Sequence, residues 1–474
     1  MTASNIDQEH SESIMPAQCF RRSAKDGSLW CEDVPLENVA RRFGTPTYVY
    51  SRKMVESRFD AYDSAFGQTP HLVCYAVKAN ATLGILELLA RRGAGFDTVS
   101  GGEILKAVAA GADPSKIVFS GVGKSRPEIA LALFAGIRCF NVESVEELER
   151  IEAEAARLGR RAPIAVRVNP DVDPHVEERI ATGLGTSKFG VDRADVLPLY
   201  RRAKTLPHID IVGISCHIGS QIRTTAPYLQ MVTVLADIVH ALRAEGITLQ
   251  HIDFGGGAGV AYRPGEETLD PRTLVEALTA EVRRLLPEEN LTALIEPGRS
   301  IVAEAGVLLT RVEFLKHAGA GTRYAIVDAS MTDLLRPALY GAWHEIEPVA
   351  ASSDNDEAAP VSIAGPVCES TDILGRNRHL AARDNELLAV RTAGAYGRSM
   401  ASNYNSRPLP FEVLVSGDQI EPLQCRRQTP LDLIATQQSL LQADRSSENR
   451  ARAAQLYEET ADFVRFMKES LERS

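Results

Sequence analysis

The chain has 474 residues, 44% of them hydrophobic and 24% charged, and its 52 basic and 63 acidic side chains give a formal net charge of −11. This length is too great for one ordinary hydrophobic core and favours two domains, one of which could be a barrel of roughly 250 residues. The acidic balance argues against a nucleic-acid partner, and the lack of an apolar run of about 20 residues argues against a membrane span.

The first residues and the cysteines indicate where the protein works. Residues 1–18 are polar and acidic and lack the basic and apolar regions of a secretion signal, so we expect a disordered tail. The seven cysteines are scattered, without a C-x-x-C pair. This spacing favours neither a zinc site nor a disulfide framework, so we predict no metal and a cytoplasmic location.

The middle of the chain shows a regular alternation of strand and helix patterns. Helical patterns such as 144–159 and 228–246 separate eight short apolar runs: 71–77, 95–99, 116–121, 137–142, 164–169, 211–218, 251–257 and 293–298. Strands that alternate with helices form parallel sheets, and eight such units predict a closed (β/α)8 barrel. We assign this barrel to residues 46–309.

The flanking segments have a different pattern. Residues 310–474 contain strand-like segments separated by turns, which predict a mostly antiparallel β domain followed by a terminal helix from about residue 428. The strand-rich segment 19–45 is expected to join that domain. Residues 351–360 read as a polar loop.

Polar residues stand at the carboxyl ends of the predicted barrel strands. They are Lys78, Asp97, Ser120, Asn141, Arg167, His217, Gly255, Gly256, Gly257 and Glu296. Because these ends meet at one mouth of such a barrel, where the active site lies, we predict a ligand site there.

Each of these residues also has an ordinary structural interpretation. Lys78 follows the apolar run VCYAV, where burial would lower its pKa and favour the free amine that a Schiff base needs, but a lone lysine often only extends from a strand end. Glu296 suits a pyridine nitrogen, or else pairs with Arg167 or Arg299. His217 could lie against a cofactor ring or be a core histidine.

Two glycine-containing segments predict a phosphate site. The run GGGAG at 255–259 offers backbone N–H groups directly after a strand, and EPGR at 296–299 follows the next strand. Barrel enzymes often bind phosphate after their last two strands. The G-x-x-x-x-G-K-S/T pattern of nucleotide-binding loops is absent.

Segments that span about residues 45–440 carry a family resemblance. They are YAVKAN (75–80), FDTVSGGE (96–103), RVNPDVD (167–173), GTSKFGV (185–191), HIGSQ (217–221), FGGGAG (254–259), EPGRSIV (296–302), RPALYGAWHEI (336–346), GPVCES (365–370) and GAYGRSMASNYNSRP (394–408). In this order they resemble the diaminopimelate decarboxylases, which are fold-type III pyridoxal-phosphate enzymes with an alanine-racemase-like barrel and a β domain.

The resemblance implies a decarboxylase that acts at the D centre of meso-2,6-diaminopimelate and releases L-lysine and CO2, the last step of lysine biosynthesis. It implies that Lys78 bonds covalently to pyridoxal 5′-phosphate, that His217 lies against the ring and that Cys368 is the general acid. Further cofactor contacts would be Asp97, Arg167, Ser220, Gly255, Gly256, Gly257, Glu296, Pro297, Gly298, Arg299 and Tyr396. The substrate would contact Arg299, Arg336, Tyr340, Glu369 and Tyr396. Cys368 and Glu369 would come from the second subunit of a homodimer, which makes each active site composite.

Three alternatives accompany this interpretation. A racemase of the same fold would not need the RPALY and CES segments, and a non-catalytic cofactor-binding protein would lack the β-domain residues. The serious alternative is a related decarboxylase acting on lysine, ornithine or arginine. The chain also departs from the family at Val176–Glu178, where an acidic loop could alter substrate choice.

Overall fold

The structure is a computed structural model that describes residues 19–173, 188–351 and 358–437, together with Ala451, Ala454, Gln455 and Glu458. The predicted tail at 1–18, the Val176–Glu178 departure, most of the 351–360 loop and most of the terminal helix lie outside the described residues. Among the described residues, no helix is long and apolar enough to cross a bilayer.

The N-terminal segment forms a small antiparallel sheet, a helix and one further strand. These are β1 (Phe20–Arg22), β2 (Leu29–Cys31), β3 (Val34–Pro35), α1 (Leu36–Phe43) and β4 (Thr47–Ser51). Residues 36–43 were predicted within a strand-rich segment, but Leu36, Val39 and Ala40 recur at helical spacing and are buried together.

The barrel prediction is confirmed. Within the described residues, eight parallel strands close on one another, because the last strand pairs with the first through Leu294 and Leu72. In chain order, with the short β10 beside β9, the strands are β5 (His71–Ala76), β6 (Gly95–Thr98), β7 (Ile117–Phe119), β8 (Cys139–Val142), β9 (Ala162–Asn169), β10 (Val191–Asp192), β11 (Ile209–Cys216), β12 (His251–Asp253) and β13 (Thr292–Ile295).

Helices pack around the outside of these strands. They are α2 (Arg52–Ala65), α3 (Leu83–Arg91), α4 (Gly101–Ala109), α5 (Arg126–Ala135), α6 (Val145–Leu158), α7 (Arg193–Lys204), α8 (Ala226–Ala244), α9 (Pro271–Leu285) and the short α10 (Arg299–Val302). The bounds of α6 follow from its sequence: the Ser144 side chain accepts a hydrogen bond from the Glu147 N–H, and Gly159 ends the helix at φ 61°.

The mostly antiparallel β domain is also present. Its elements are β14 (Gly306–His317), β15 (Arg323–Val327), α11 (Arg336–Tyr340), β16 (Ile346–Pro348), β17 (Ala359–Ala364), β18 (Ile373–Leu380), β19 (Leu387–Val390), β20 (Phe411–Ser416), β21 (Gln419–Pro422) and α12 (Pro430–Ala435). The strand order is β18-β17-β15-β14-β4-β20-β21, with β19 also pairing with β14 and β16.

The predicted barrel boundaries at 46 and 309 need correction. Strand β4 pairs with β14 and β20 of the β domain and not with any barrel strand, and β14 already begins at Gly306. The pattern TYVYS resembles a buried barrel strand, so its assignment depends on partners that lie far along the chain. The structure therefore places the barrel between α2 and α10.

Direct hydrogen bonds attach the β domain to the barrel mouth. The Asn80 side chain donates to the Gly394 carbonyl at 3.2 Å, and the Thr82 hydroxyl donates to Glu412 at 2.7 Å. The Tyr396 N–H donates to the Ala79 carbonyl at 2.8 Å. These contacts hold β-domain residues directly over the turn that follows β5.

Candidate active site

Lys78 lies in a single 3₁₀ turn, Val77–Ala79, directly after β5. The turn is fixed from the neighbouring segment, because the Ala76 N–H donates to the Pro297 carbonyl at 3.1 Å. A side chain at Gly298 would meet the Cβ atoms of Ala76 and Ala79 at 2.9 and 3.0 Å. Pro297 and Gly298 therefore hold the Lys78 turn.

The Lys78 amine contacts a carboxylate, which contradicts its predicted low pKa. Its Nζ donates to Asp97 Oδ2 at 2.6 Å, with 37% of the lysine side chain exposed and Asp97 fully buried. Burial alone lowers the pKa of Lys78, but the charge of the contacting Asp97 carboxylate outweighs it and raises the pKa above its usual value. The amine is therefore an ammonium ion in this structure.

The glycine run after β12 packs closely against two other strand ends. Gly255 and Gly257 have φ values of 63° and 100°, which residues with a side chain rarely adopt. A Cβ on Gly256 would overlap the Glu296 carbonyl oxygen, and one on Gly257 would overlap the Gly219 carbonyl oxygen. Glycine is thus required here to bring three chain segments together at the mouth.

His217 follows β11 and points its ring nitrogen at this glycine run. The Gly256 N–H donates to His217 Nδ1 at 3.1 Å, which leaves the ring proton on Nε2. Burial, with repulsion from Arg167 and Lys78, holds the pKa of His217 well below its usual range. The imidazole is therefore neutral in this structure.

Glu296 belongs to a buried group of carboxyls and not to an ion pair with arginine. Its Oε1 accepts a hydrogen bond from Asn141 Nδ2 at 3.5 Å. Burial, together with the charges of Asp253 and Asp97, raises the pKa of Glu296, and Lys78 opposes this only in part. Burial likewise raises the pKa of Asp253. Glu296 can therefore hold a proton at the bottom of the site.

Arg167 has another acid as its partner. Its Nη1 lies 3.0 Å from Glu143 Oε1, and its guanidinium lies over the Phe189 ring at 4.9 Å. Glu143 also accepts hydrogen bonds from the Gly121 and Gly190 N–H groups, at 2.9 and 3.0 Å. The suggested pairing of Arg167 with Glu296 is therefore wrong.

The two other predicted arginines lie together on the opposite side of Lys78. Arg299 donates to the Tyr262 hydroxyl at 2.8 Å and to the Ser220 hydroxyl at 3.0 Å, so it does not pair with Glu296 either. Its guanidinium also lies 4.7 Å from the centre of the Tyr396 ring. Arg336 donates to His344 Nε2 at 2.7 Å. Among the described residues, neither arginine has a carboxylate partner.

Two cavities cover this region and share Lys78, Phe189 and His217 in their linings. The first, about 440 Å³, extends to Arg299, Arg336, Tyr340 and Tyr396. The second, about 470 Å³, extends to Ser120, Asn141, Arg167 and Glu296. The structure thus brings most of the predicted residues to one place, with Glu296 and Arg167 in one cavity beside Lys78 and Arg299 and Arg336 in the other.

Cys368 and Glu369 are the predicted residues that do not join this group. Both are exposed on the β domain and line neither cavity. The Cys368 N–H lies 3.4 Å from Asn405 Oδ1, and Glu369 accepts a hydrogen bond from the Tyr404 hydroxyl at 2.8 Å. In the described part of the chain, no group of three or more His, Cys, Asp or Glu side chains could hold a metal ion.

Sequence reasoning missed several residues that hold the predicted ones in place: Glu143, Asp253, Tyr262 and His344. Asp253 stands two residues before the glycine run, and His344 lies within the quoted segment RPALYGAWHEI, so each was near a signal. The signal for Tyr262 and Glu143 was weak, because their partners lie on other elements.

The comparisons with known proteins agree with this geometry. The family model described as the pyridoxal binding domain of pyridoxal-dependent decarboxylases matches residues 52–303, the span of the barrel. A diaminopimelate decarboxylase of Pseudomonas aeruginosa is 49% identical over 422 residues, which cover 89% of this chain and 99% of that protein. One from Vibrio cholerae is 49% identical over 395 residues, 83% of this chain and 93% of its own length.

Solved structures give the same result. The diaminopimelate decarboxylase of M. jannaschii in complex with L-lysine has a TM-score of 0.84 at 36% identity and covers 90% of this chain and 99% of its own. The Helicobacter pylori enzyme complexed with L-lysine has a TM-score of 0.80 at 40% identity, covering 85% and 98%. A lysine/ornithine decarboxylase from Vibrio vulnificus, at 22% identity and a TM-score of 0.70, shares the fold alone.

Proposed function

The chain belongs to the diaminopimelate decarboxylase family of pyridoxal-dependent enzymes, and from this membership we propose how its barrel mouth carries the reaction. The protein is a carboxy-lyase that uses pyridoxal 5′-phosphate and converts meso-2,6-diaminopimelate into L-lysine and CO2, the last step of lysine biosynthesis. The D centre of the substrate loses the carboxyl group, and the L centre remains in the product.

The residues at the mouth fit this cofactor. Asp97 Oδ1 is buried without a hydrogen-bond partner among the described residues, beside the Lys78 amine. Glycines 255–257, the predicted phosphate segment, pack so closely that a Cβ on any of them would overlap a neighbouring carbonyl oxygen. When bound at Lys78, the cofactor supplies an electron sink for the electron pair that departing CO2 leaves behind.

The chain's own residues act on protons and orientation. Lys78 Nζ holds a proton that Asp97 stabilises, so proton transfer to Asp97 or to a base on the substrate must precede its reaction as a free amine. Glu296 holds a proton that it can share with a ring nitrogen at the bottom of the site. Neutral His217 offers a flat face without adding charge.

One observation supports the choice of substrate above the others: Arg299 and Arg336 are buried next to Lys78 without a carboxylate partner among the described residues. Two guanidiniums suit a carboxylate, and an amino acid at the remote end of the substrate provides one. A substrate that ends in an ammonium alone, such as lysine or ornithine, would leave both arginines uncompensated, an error of several kcal/mol.

We further propose that a homodimer completes the site. Cys368 would protonate the carbon that loses CO2, and a thiol can do so only when it reaches that carbon. Cys368 and Glu369 are exposed and lie outside the cavities of their own chain, which supports their action in the site of a second copy. The seven free thiols, with Cys368 among them, are consistent with a reducing cytoplasm.

The substrate assignment is tested by CO2 release from a panel of amino acids. We expect kcat/KM for meso-diaminopimelate to exceed that for lysine and for ornithine by at least about a hundredfold, or about 2.7 kcal/mol. Arg336→Ala should remove most of this preference. Arg223→Ala is the matched control, because Arg223 lines the same cavity but is already paired with Glu266 at 2.9 Å.

The related decarboxylases for lysine, ornithine or arginine remain the second candidate. Comparable turnover of ornithine or D-lysine by the unmodified enzyme would refute the proposed substrate and favour that candidate. Glu177, in the acidic loop that departs from the family pattern, would then be the first residue to replace.

A further inference from the structure

Among the described residues, only neutral groups hold the two arginines at the remote end of the site. Arg299 donates to the hydroxyls of Tyr262 and Ser220, and Arg336 donates to His344. Both guanidiniums also contact one aromatic ring, since Arg336 lies 4.4 Å and Arg299 lies 5.9 Å from the centre of the Tyr262 ring. Two like charges therefore lie close together without an acid to neutralise them among the described residues.

The tautomer of His344 follows from its two partners. A guanidinium can only donate, so His344 Nε2 must accept the hydrogen bond from Arg336 at 2.7 Å. The backbone carbonyl of Arg391 can only accept, so His344 Nδ1 carries the proton and donates to it at 2.9 Å. Burial, with repulsion from Arg336, lowers the pKa of His344 to about 3, so this arrangement persists at working pH.

The position of His344 is fixed by strand pairing. It lies two residues before β16, whose Ile346 pairs with Val390 of β19, and Arg391 is the next residue after β19. His344 is fully buried, and its ring meets the Tyr262 ring edge-on at 5.3 Å. His344 and Tyr262 thus join the β domain to the barrel loop after β12.

We propose that His344 and Tyr262 are positioning residues that hold Arg336 and Arg299 in place without neutralising them, and that they thereby set the preference for a substrate with a remote carboxylate. This inference rests on the proposed function. A carboxylate in place of His344 would hold Arg336 equally well, but it would neutralise the positive charge that is to bind the substrate carboxylate. A neutral acceptor keeps that charge available.

The test compares three replacements at His344 that differ in what they offer to Arg336. His344→Leu removes the acceptor, His344→Gln keeps a neutral acceptor, and His344→Glu keeps the acceptor but adds a negative charge. The first readout is the ratio of kcat/KM for meso-diaminopimelate to that for D-lysine, which has the D centre but no remote carboxylate. The second is the ratio of inhibition by L-lysine, the product, to inhibition by cadaverine.

We expect the Leu and Glu variants to lower both ratios by about tenfold to a hundredfold, the effect of losing a hydrogen bond to a charged group or of pairing it elsewhere. The Gln variant should stay within about threefold of the unmodified enzyme. Tyr262→Phe, which removes only the hydroxyl that accepts from Arg299, should lower the ratios by a smaller factor and guards against a folding defect at His344. His240→Leu is the control, because His240 only bonds the Leu285 carbonyl on the outer helices.

The outcomes separate this inference from the proposed function. A purely structural role for His344 would lower activity on both substrates and leave the ratios unchanged, which overturns the inference. Equal ratios in the Gln and Glu variants, or in the Gln and Leu variants, would also overturn it. An unmodified enzyme that shows no preference for the dicarboxylate would instead refute the proposed function, and the inference with it.

Discussion

At the scale of single residues, the contact between Lys78 and Asp97 determines the protonation state of the Lys78 amine. A lysine at the end of an apolar strand was expected to have a lowered pKa, but a buried carboxylate 2.6 Å away reverses the direction. The carboxylate keeps the amine charged until a ligand changes the charge balance of the site.

Removal of this carboxylate tests that interpretation. In the cofactor-free protein, Asp97→Asn should lower the pKa of Lys78 by roughly one to three units, because burial then acts with less opposition. The measurement is the pH dependence of Lys78 modification by an amine-selective reagent, followed by peptide mapping. The unprotonated, reactive form should appear at lower pH in the variant.

Lys124 provides an internal control for this experiment. Its side chain is buried, and its partner is Glu147 at 2.9 Å and not Asp97. Its modification profile should not move. An unchanged profile for Lys78 in the Asn variant would show that Asp97 does not control its proton.

Residues with their own motif were predictable, whereas residues that act through others were not. Lys78, His217 and Glu296 each follow an apolar strand, and the barrel pattern alone brings such positions to one mouth. Tyr262 and His344 carry no such signal, because their role depends on Arg299 and Arg336 on other elements. The predicted lowering of the Lys78 pKa was wrong for the same reason, since that pKa depends on Asp97 on the neighbouring strand.

At the scale of elements, Glu143 ties three neighbouring parts of the barrel together. It follows β8, accepts from the Gly121 N–H after β7, and pairs with Arg167 on β9. It also accepts from the Gly190 N–H just before β10. One carboxylate thus fixes the loops along one side of the mouth.

Glu143→Gln should therefore be costly. Because it leaves the buried guanidinium of Arg167 without its counter-charge, we expect a loss of roughly 3–5 kcal/mol in the free energy of unfolding. Urea unfolding of the cofactor-free protein measures it. Glu245→Gln, which removes an exposed ion pair with Arg201, should cost much less, and an equal cost for both variants would contradict the proposed network.

The assignment of β4 shows what an element's own sequence leaves open. Thr47–Ser51 has the apolar, β-branched and aromatic composition of a strand buried on both faces, and it is buried throughout. Both a barrel and a β sheet offer such a place. Only its partners β14 and β20 decide between them, and no local pattern encodes that pairing.

At the scale of the whole molecule, the proposed composite site predicts complementation between inactive subunits. A Lys78→Ala subunit and a Cys368→Ala subunit should each be inactive alone. After mixing, random pairing makes half of the dimers heterodimers with one intact site each, so about a quarter of the unmodified activity should return.

Subunit exchange must be shown separately, for example by mass spectrometry of differently labelled chains. If exchange is complete and no activity returns, Lys78 and Cys368 serve the same chain's site. A mixture of Lys78→Ala with Lys78→Ala carrying the other label is the control and should stay inactive.

The place of β4 in its sheet also has a consequence for synthesis on the ribosome. This strand leaves the ribosome before the barrel, but the strands on either side of it begin only at Gly306 and Phe411. At about 5–20 residues per second, the wait for both partners is on the order of tens of seconds. Throughout that time an apolar, strand-forming segment remains unpaired near the N-terminal end of the nascent polypeptide. We therefore expect nascent-chain chaperones to bind at this segment.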